Sequence, residues 1–399
     1  MHHPGKLSVA LVWSQFAAYH IDRCEAVALR LGDRADVLAI EMATISATYA
    51  WEPSGEVAGA RKITLFPGRD YETLSAWQRF TALFAATRKA DMVAFGLSYD
   101  AGEAILLSWL LRMMGKRIIV FSESKFDDCR RSVLKEVGKS LLLSCYSAAV
   151  VGARRHIDYF RFLGFRRRPV LPGYDGVGLA RIRSQAKAAS VPDVASHAGR
   201  PFVFVGRFVD KKNLHRLLSG YARYVALAGK DQARRLVLVG SGAEAHALRA
   251  GAEAAGIADL VDFPGFLDAE AVSQMLAGAL ALCLLSVEEQ WGLVVNEALA
   301  VGIPVIVSRE VGSGDVLVRN LLNGFIVESG SPEGVAHAML SLATDPELWV
   351  RMSRASAERA WLGDTARLAD AIELLLFPDA EEASVRLAAF AAEMEPAPR

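Results

Sequence analysis

The chain has 399 residues, with 45 Lys and Arg balanced by 45 Asp and Glu. That neutrality argues against bulk nucleic-acid binding. A hydrophobic share of 52% beside 23% charged residues excludes a disordered chain, and the length accommodates two domains. Four cysteines (Cys24, Cys129, Cys145, Cys283) are scattered without a C-x-x-C motif or a His/Cys cluster. This fits a reducing compartment and offers no metal framework. Met1-His-His-Pro4 leads straight into a strand-like run without the basic flank and long apolar core of a signal peptide. No apolar stretch approaches the length of a membrane span. The expectation is a soluble cytoplasmic protein.

Short apolar runs alternate with helical patterns, which predicts an α/β protein with parallel sheets. In the first half the expected strands are Leu7–Trp13, Val37–Ile40, Lys62–Leu65, Met92–Gly96, Arg117–Ser122, Ala148–Val151 and Pro169–Leu171. Helical patterns are clearest at Ala101–Met114 and Arg131–Leu143. The polar, small-residue stretch 181–200 has weak periodicity and reads as a linker. A second series follows, with strands at Phe202–Val205, Arg235–Val239, Val261–Phe263, Leu280–Leu285, Pro304–Val307 and Gly324–Val327, and helices such as Asn213–Ala228 and Ala243–Ala255. The tail Thr365–Glu393 reads as amphipathic helices broken near Pro378. The expected division is 1–180, a linker 181–200, 201–362, and C-terminal helices 363–399. Ligands of doubly wound sheets bind beyond the carboxyl ends of the strands.

The most informative stretch is Glu289-Gln-Trp-Gly-Leu-Val-Val-Asn-Glu297, followed by Ala298-Leu-Ala-Val-Gly-Ile-Pro304. Glu289 stands in a loop after an apolar strand, and Glu297 is expected about two turns into the next helix. A helix start with Gly292 in its first turn presents free N–H groups and a positive dipole end, which suit a phosphate. A carboxylate further along accepts hydrogen bonds from sugar hydroxyls. Phe202-Val-Phe-Val-Gly206-Arg207 ends another buried strand, and Lys211-Lys212-Asn213 precedes a helix. Arg offers a planar fork to two phosphate oxygens, and Lys adds a compact charge. Solvated loop charges are the alternative. Together these residues suit a ligand that is both anionic and polyhydroxylated, a nucleotide-sugar.

Ser286, Glu289, Trp291, Gly292, Glu297, Ala298, Gly302 and Pro304 match in order the E-x7-E string of the retaining glycosyltransferases of family 4, and the chain resembles that family. The resemblance implies the GT-B fold: two Rossmann-like doubly wound α/β domains facing across a cleft, acceptor in the first and donor in the second, with the terminal helix crossing back. It implies donor contacts at Gly206, Arg207, Lys212, Gly240, Gly242, Gly265, Phe266, Glu289, Trp291, Gly292, Leu293 and Glu297. Asn213 stands where the family usually has Gly, and Asn also tolerates turn geometry. Gly312-Ser-Gly314-Asp315 either lines the donor pocket or is a plain N-cap at Ser313. Nothing separates a UDP-linked from a GDP-linked donor.

On the acceptor side the family often has a Gly-rich loop after the first strand. Here the loop is bulky, with Gln15, Tyr19 and His20 as candidates; His20 is alternatively structural beside a helix start. Ser122, Lys125 and Asp127 form a polar cluster after the strand ending at Ser122, or a capped turn. Arg130, Arg131, Lys135 and Lys139, with Leu141–Leu143 and the run Tyr159–Arg168, either form a solvated face or dock on an anionic membrane, as in related enzymes with lipid-linked acceptors.

The expectation is a metal-independent, cofactor-free enzyme. It moves a sugar from a nucleoside diphosphate to a saccharide, lipid-linked or glycolipid acceptor with retention, in cell-surface polysaccharide or glycolipid synthesis. Arg207, Lys212, Glu289 and His20 are the expected catalytic set. The alternatives are a GT-B epimerase or hydrolase of nucleotide-sugars and a non-catalytic binding module. An epimerase or hydrolase would need an added carboxylate pair or base near the anomeric carbon and would not require the Glu-x7-Glu helix. The module would have lost one of Arg207, Lys212, Glu289 and Glu297.

Overall fold

The computed structural model describes residues 6–46, 55–97, 101–187 and 193–394. Met1-His-His-Pro4 and residues 188–192 of the stretch read as a linker lie outside them. The chain divides into two compact units. One comprises Met1–Phe126, Arg130–Val177 and Thr365–Arg399, and the other Asp127–Cys129 and Gly178–Asp364.

The first unit runs β1 (Leu7–Trp13), α1 (Ala18–Leu31), β2 (Ala35–Ile45), β3 (Arg61–Asp70), α2 (Ala76–Thr87), β4 (Met92–Phe95), α3 (Gly102–Met113), β5 (Arg117–Ser122), α4 (Val133–Leu142), β6 (Ala148–Val151), α5 (Arg154–Phe162) and β7 (Val170–Pro172). All pairings are parallel, in the order β3-β2-β1-β4-β5-β6-β7. Central β1 and β4 are buried almost throughout, which is why they read as continuous apolar runs rather than alternating ones.

Two strands extend past their apolar runs. β2 continues through Glu41 because that carboxylate is satisfied internally, by Phe16 N (2.9 Å) and Thr64 Oγ1 (2.9 Å). β3 continues through Pro67 because it lies at the sheet edge, where a missing N–H costs no ladder bond.

The second unit runs α6 (Leu179–Ala186), β8 (Phe202–Val205), α7 (Leu214–Ala228), β9 (Leu236–Val239), α8 (Ala245–Ala254), β10 (Val261–Gly265), α9 (Ala269–Ala277), β11 (Ala281–Leu284), α10 (Leu293–Ala300), β12 (Val305–Ser308), α11 (Gly314–Leu317), β13 (Gly324–Val327), α12 (Pro332–Thr344) and α13 (Pro346–Arg359). Its parallel sheet has the order β10-β9-β8-β11-β12-β13. The stretch 181–200 therefore opens inside a helix: Leu179, Ile182 and Ala186 recur at helical spacing and are buried.

The tail forms α14 (Ala366–Leu376) and α15 (Glu381–Ala392), which belong to the first unit. α14 packs on α1. Asp370 is fully buried there and is ion-paired with Arg386 (2.7 Å) and with Arg30. Arg386 also reaches Glu373 (2.9 Å). Placing the tail's acids among arginines of α1 and α15 offsets the desolvation of Asp370.

Candidate functional site

In the second sheet the strand order reverses between β8 and β11. Loops beyond the carboxyl ends of strands at such a reversal form the usual ligand crevice of a doubly wound fold. The loop after β8 carries Gly206, Arg207 and Lys212. The loop after β11 carries Ser286, Glu289, Trp291 and Gly292.

The two loops are joined. Lys212 Nζ pairs with the Glu289 carboxylate. Ser286 Oγ donates to the same Oε2 at 2.8 Å, and Val287 N donates to Lys211 O at 2.9 Å. Asn213 takes the left-handed conformation (φ +58°), and its side-chain amide donates to Leu285 O (3.0 Å) and Ser329 O (2.8 Å). A glycine would give the turn but not these two bonds. Glu289 is buried and Lys212 half-buried, so the pair sits in a partly dry environment where charge interactions are strong. Arg207 is exposed at the start of the β8 loop.

Gly292 caps α10 with φ +93°, and a Cβ there would lie 2.8 Å from Leu284. Only glycine serves at this turn, which opens α10 with its first N–H groups unsatisfied by the helix. α10 starts at Leu293, so Glu297 lies just over one turn in rather than two. Glu297 and Leu293 are half-buried. The Trp291 indole is buried and donates to Asn296 Oδ1 (2.9 Å), while Asn296 donates to Gly363 O (3.0 Å). Its side chain therefore supports the turn from inside, and its backbone is what can face a ligand.

Gly240 and Gly242 follow β9. A Cβ on Gly240, at φ +131°, would lie 1.9 Å from Gly206 O, so the β8 and β9 loops pack backbone to backbone. Gly240 N donates to Gly265 O (2.8 Å), which ties in the end of β10. Phe266, just beyond, is 62% exposed.

The first unit treats its candidates differently. Gln15, His20 and Lys125 are buried; Tyr19 and Ser122 are half-buried; Asp127 is exposed in the turn Phe126–Asp128. The loop after β1 is held from beneath, with Glu41 accepting from Phe16 N, and Gln15 Nε2 donating to Thr44 O (3.0 Å). His20 Nδ1 accepts from Ala17 N (2.9 Å), closing the first turn of α1. Burial first, and nearby Arg23 second, hold the His20 imidazole well below its usual range, so it is neutral.

Sequence reasoning placed Glu123 in the polar cluster after β5 but missed the buried pair beside it, Arg23 and Asp175. Arg23 Nη2 lies 3.6 Å from Asp175 Oδ1, and its Nε donates to Gly176 O (3.1 Å). The signal was present, since Asp175 follows the end of β7 as Glu123 follows β5.

The comparisons with known proteins bear on both units. Residues 193–359 match the family model of glycosyl transferases group 1. Solved structures of similar architecture cover nearly the whole chain. Sucrose-phosphate synthase from Thermosynechococcus elongatus has a TM-score of 0.70 at 19% identity, covering 93% of this chain and 98% of its own. HepE of Anabaena, in complex with UDP-glucose, has a TM-score of 0.68 at 15% identity, covering 93% and 99%. The fold is GT-B.

Among curated relatives, D-inositol 3-phosphate glycosyltransferase of Streptomyces griseus subsp. griseus is 39% identical over 226 residues, covering 54% of this chain and 45% of that protein. Lipopolysaccharide core biosynthesis glycosyltransferase LpsE of Rhizobium meliloti is 29% identical over 198 residues, covering 49% and 54%. The chain thus spans about half the length of these curated relatives.

Proposed function

We propose that this chain is a retaining glycosyltransferase that moves a sugar from a UDP- or GDP-linked donor to a hydroxyl. The observation that carries the reading is the joining of Lys212, Ser286 and Glu289 beside the glycine-capped start of α10, at the order reversal of the second sheet. Arg207, Lys212 and the α10 N-terminus supply positive charge for a departing diphosphate, which is electrostatic catalysis. Glu297 is assigned to ribose hydroxyls and Glu289 to hydroxyls of the transferred sugar. The anomeric C–O bond to the diphosphate breaks as the acceptor oxygen bonds the same face of the anomeric carbon. The acceptor proton passes to a leaving-group phosphate oxygen. Side-chain cations carry the role that a metal would otherwise fill, and the donor is a substrate rather than a resident cofactor.

His20 is not assigned to proton transfer in this scheme, because its Nδ1 is committed to Ala17 N and its ring is buried. The first unit is assigned to the acceptor, a saccharide, lipid-linked saccharide or glycolipid of cell-surface synthesis. α4 supports a lipid-linked acceptor. Its polar Glu136 faces inward, accepting from Tyr159 OH (2.6 Å), whereas Val133, Leu134, Val137 and Leu141 are 54–84% exposed. Such an outward apolar arc, beside exposed Arg130 and Lys135, suits the surface of an anionic bilayer.

The test is a transfer assay with a donor panel and acceptor extracts. Release of UDP or GDP from one sugar nucleotide, dependent on acceptor, is expected. Tight donor binding without turnover on any acceptor would favour a non-catalytic module.

A further inference from the structure

The first unit holds a pocket of about 270 Å³ at the carboxyl ends of β4 and β5. It is just below the ~300–1,000 Å³ typical of small-molecule sites, a size suited to one ring rather than two. Phe121, Phe160 and Tyr174 supply apolar and aromatic surface, and Ser122, Glu123 and Ser124 form a polar wall.

The support behind that wall is rigid. Trp13, Phe121 and Tyr174 stack in succession, with centroids 5.4 and 4.9 Å apart, and Trp13 Nε1 donates to Tyr174 OH (2.9 Å). Glu123 is half-buried, and Asp175, which it influences electrostatically, is buried. Burial first, and Glu123 second, push Asp175 well above the carboxylate range against the pull of Arg23. Arg23 stays behind, its guanidinium 4.8 Å from the Tyr19 ring and 4.5 Å from the Tyr174 ring. Neither Arg23 nor buried Lys125 lines the pocket. The one charge in its described lining is the carboxylate of Glu123.

A carboxylate in one lining with aromatic rings favours a ring with hydroxyl donors and an apolar C–H face, and it repels an anion. We infer that this pocket takes an uncharged, polyhydroxylated ring, the acceptor's reacting end, and that Glu123 excludes rings bearing a phosphate or carboxylate. Naming that ring the acceptor rests on the transferase reading; the binding preference does not.

The experiment is ligand-observed NMR titration of the full chain with methyl α-glucoside and myo-inositol, each against its phosphate monoester. Wild-type protein should bind the neutral rings at least about tenfold more tightly than the esters, which is ~1.4 kcal/mol. Glu123→Gln keeps a hydrogen-bonding amide but removes the charge, and should bring the two affinities within about threefold. Glu123→Asp, the companion variant, keeps the charge and should still reject the esters. Equal binding of neutral and phosphorylated rings by wild type, or an unchanged preference in Glu123→Gln, would overturn the inference. So would uptake of nucleotide-sugars with no ring bound. Ring binding without any nucleotide-sugar binding would instead count against the transferase reading and leave the pocket standing.

Discussion

Lys212 and Glu289, 77 residues apart in sequence, are ion-paired across the loops that follow β8 and β11. Sequence reasoning assigned them to different parts of a ligand, the ammonium to the diphosphate and the carboxylate to the transferred sugar. The structure makes them partners, so each sets the other's position. A ligand that recruits either group must also satisfy the other.

Breaking this pair has a cost in stability. Lys212→Met leaves the buried Glu289 carboxylate to accept from Ser286 Oγ without its cationic partner. A loss of about 1–3 kcal/mol in urea unfolding is expected, because a buried acceptor loses a charged partner. Glu289→Gln in the same background should recover part of it. A double variant no more stable than Lys212→Met would show that the two groups do not depend on each other.

Gly240 sets the spacing of the β8 and β9 loops. Gly240→Ala would bring a methyl within 1.9 Å of Gly206 O at a positive φ. The loops must separate, and we expect ~1–3 kcal/mol of destabilisation together with weakened nucleotide binding. Gly314→Ala, where a Cβ meets open space, is the control and should be near neutral. Similar melting curves for both variants would contradict the close packing.

His20 gives the first unit an acid sensitivity. Its folded form is held neutral below the usual range, whereas the unfolded chain takes up a proton below about pH 6.5. Stability is therefore retained above that pH and lost as the pH falls toward the depressed folded value. The slope is at most about 1.4 kcal/mol per pH unit. Unfolding free energies between pH 7 and 5 should fall less steeply in His20→Gln than in wild type. Parallel curves would mean that His20 does not contribute.

Much of this was legible in the sequence. β1, β5, β6, β8 and β13 span the residues that their apolar runs predict; in β1, β5, β6 and β8 this follows because largely buried strands leave an uninterrupted signature. β2 and β3 outran their apolar cores because Glu41 is satisfied by long-range bonds and Pro67 is at an edge, neither of which periodicity reports. The β8 and β11 loops could be read because their residues recur in a known order around glycines. The Arg23–Glu123–Asp175 set was legible only in part, since Arg23 comes from α1 and the two acids from the loops after β5 and β7, and the sheet order brings them together. Lys125 read as a polar loop residue, yet its side chain is fully buried.

The outward face of α4 should be measurable with vesicles. Co-sedimentation with phosphatidylglycerol-containing vesicles is expected, weakening as salt rises. Leu134→Asp with Val137→Asp should abolish it while leaving the melt almost unchanged, since both side chains are mostly exposed. Equal retention by neutral phosphatidylcholine, or by the double variant, would sink the assignment.

The most direct test of the donor site is calorimetric titration of the full chain with UDP- and GDP-sugars, repeated on Arg207→Ala and Glu297→Ala. One nucleotide-sugar should bind wild type, and each variant should lose at least about tenfold in affinity with a nearly unchanged melting temperature. Undiminished affinity in both variants would contradict the account.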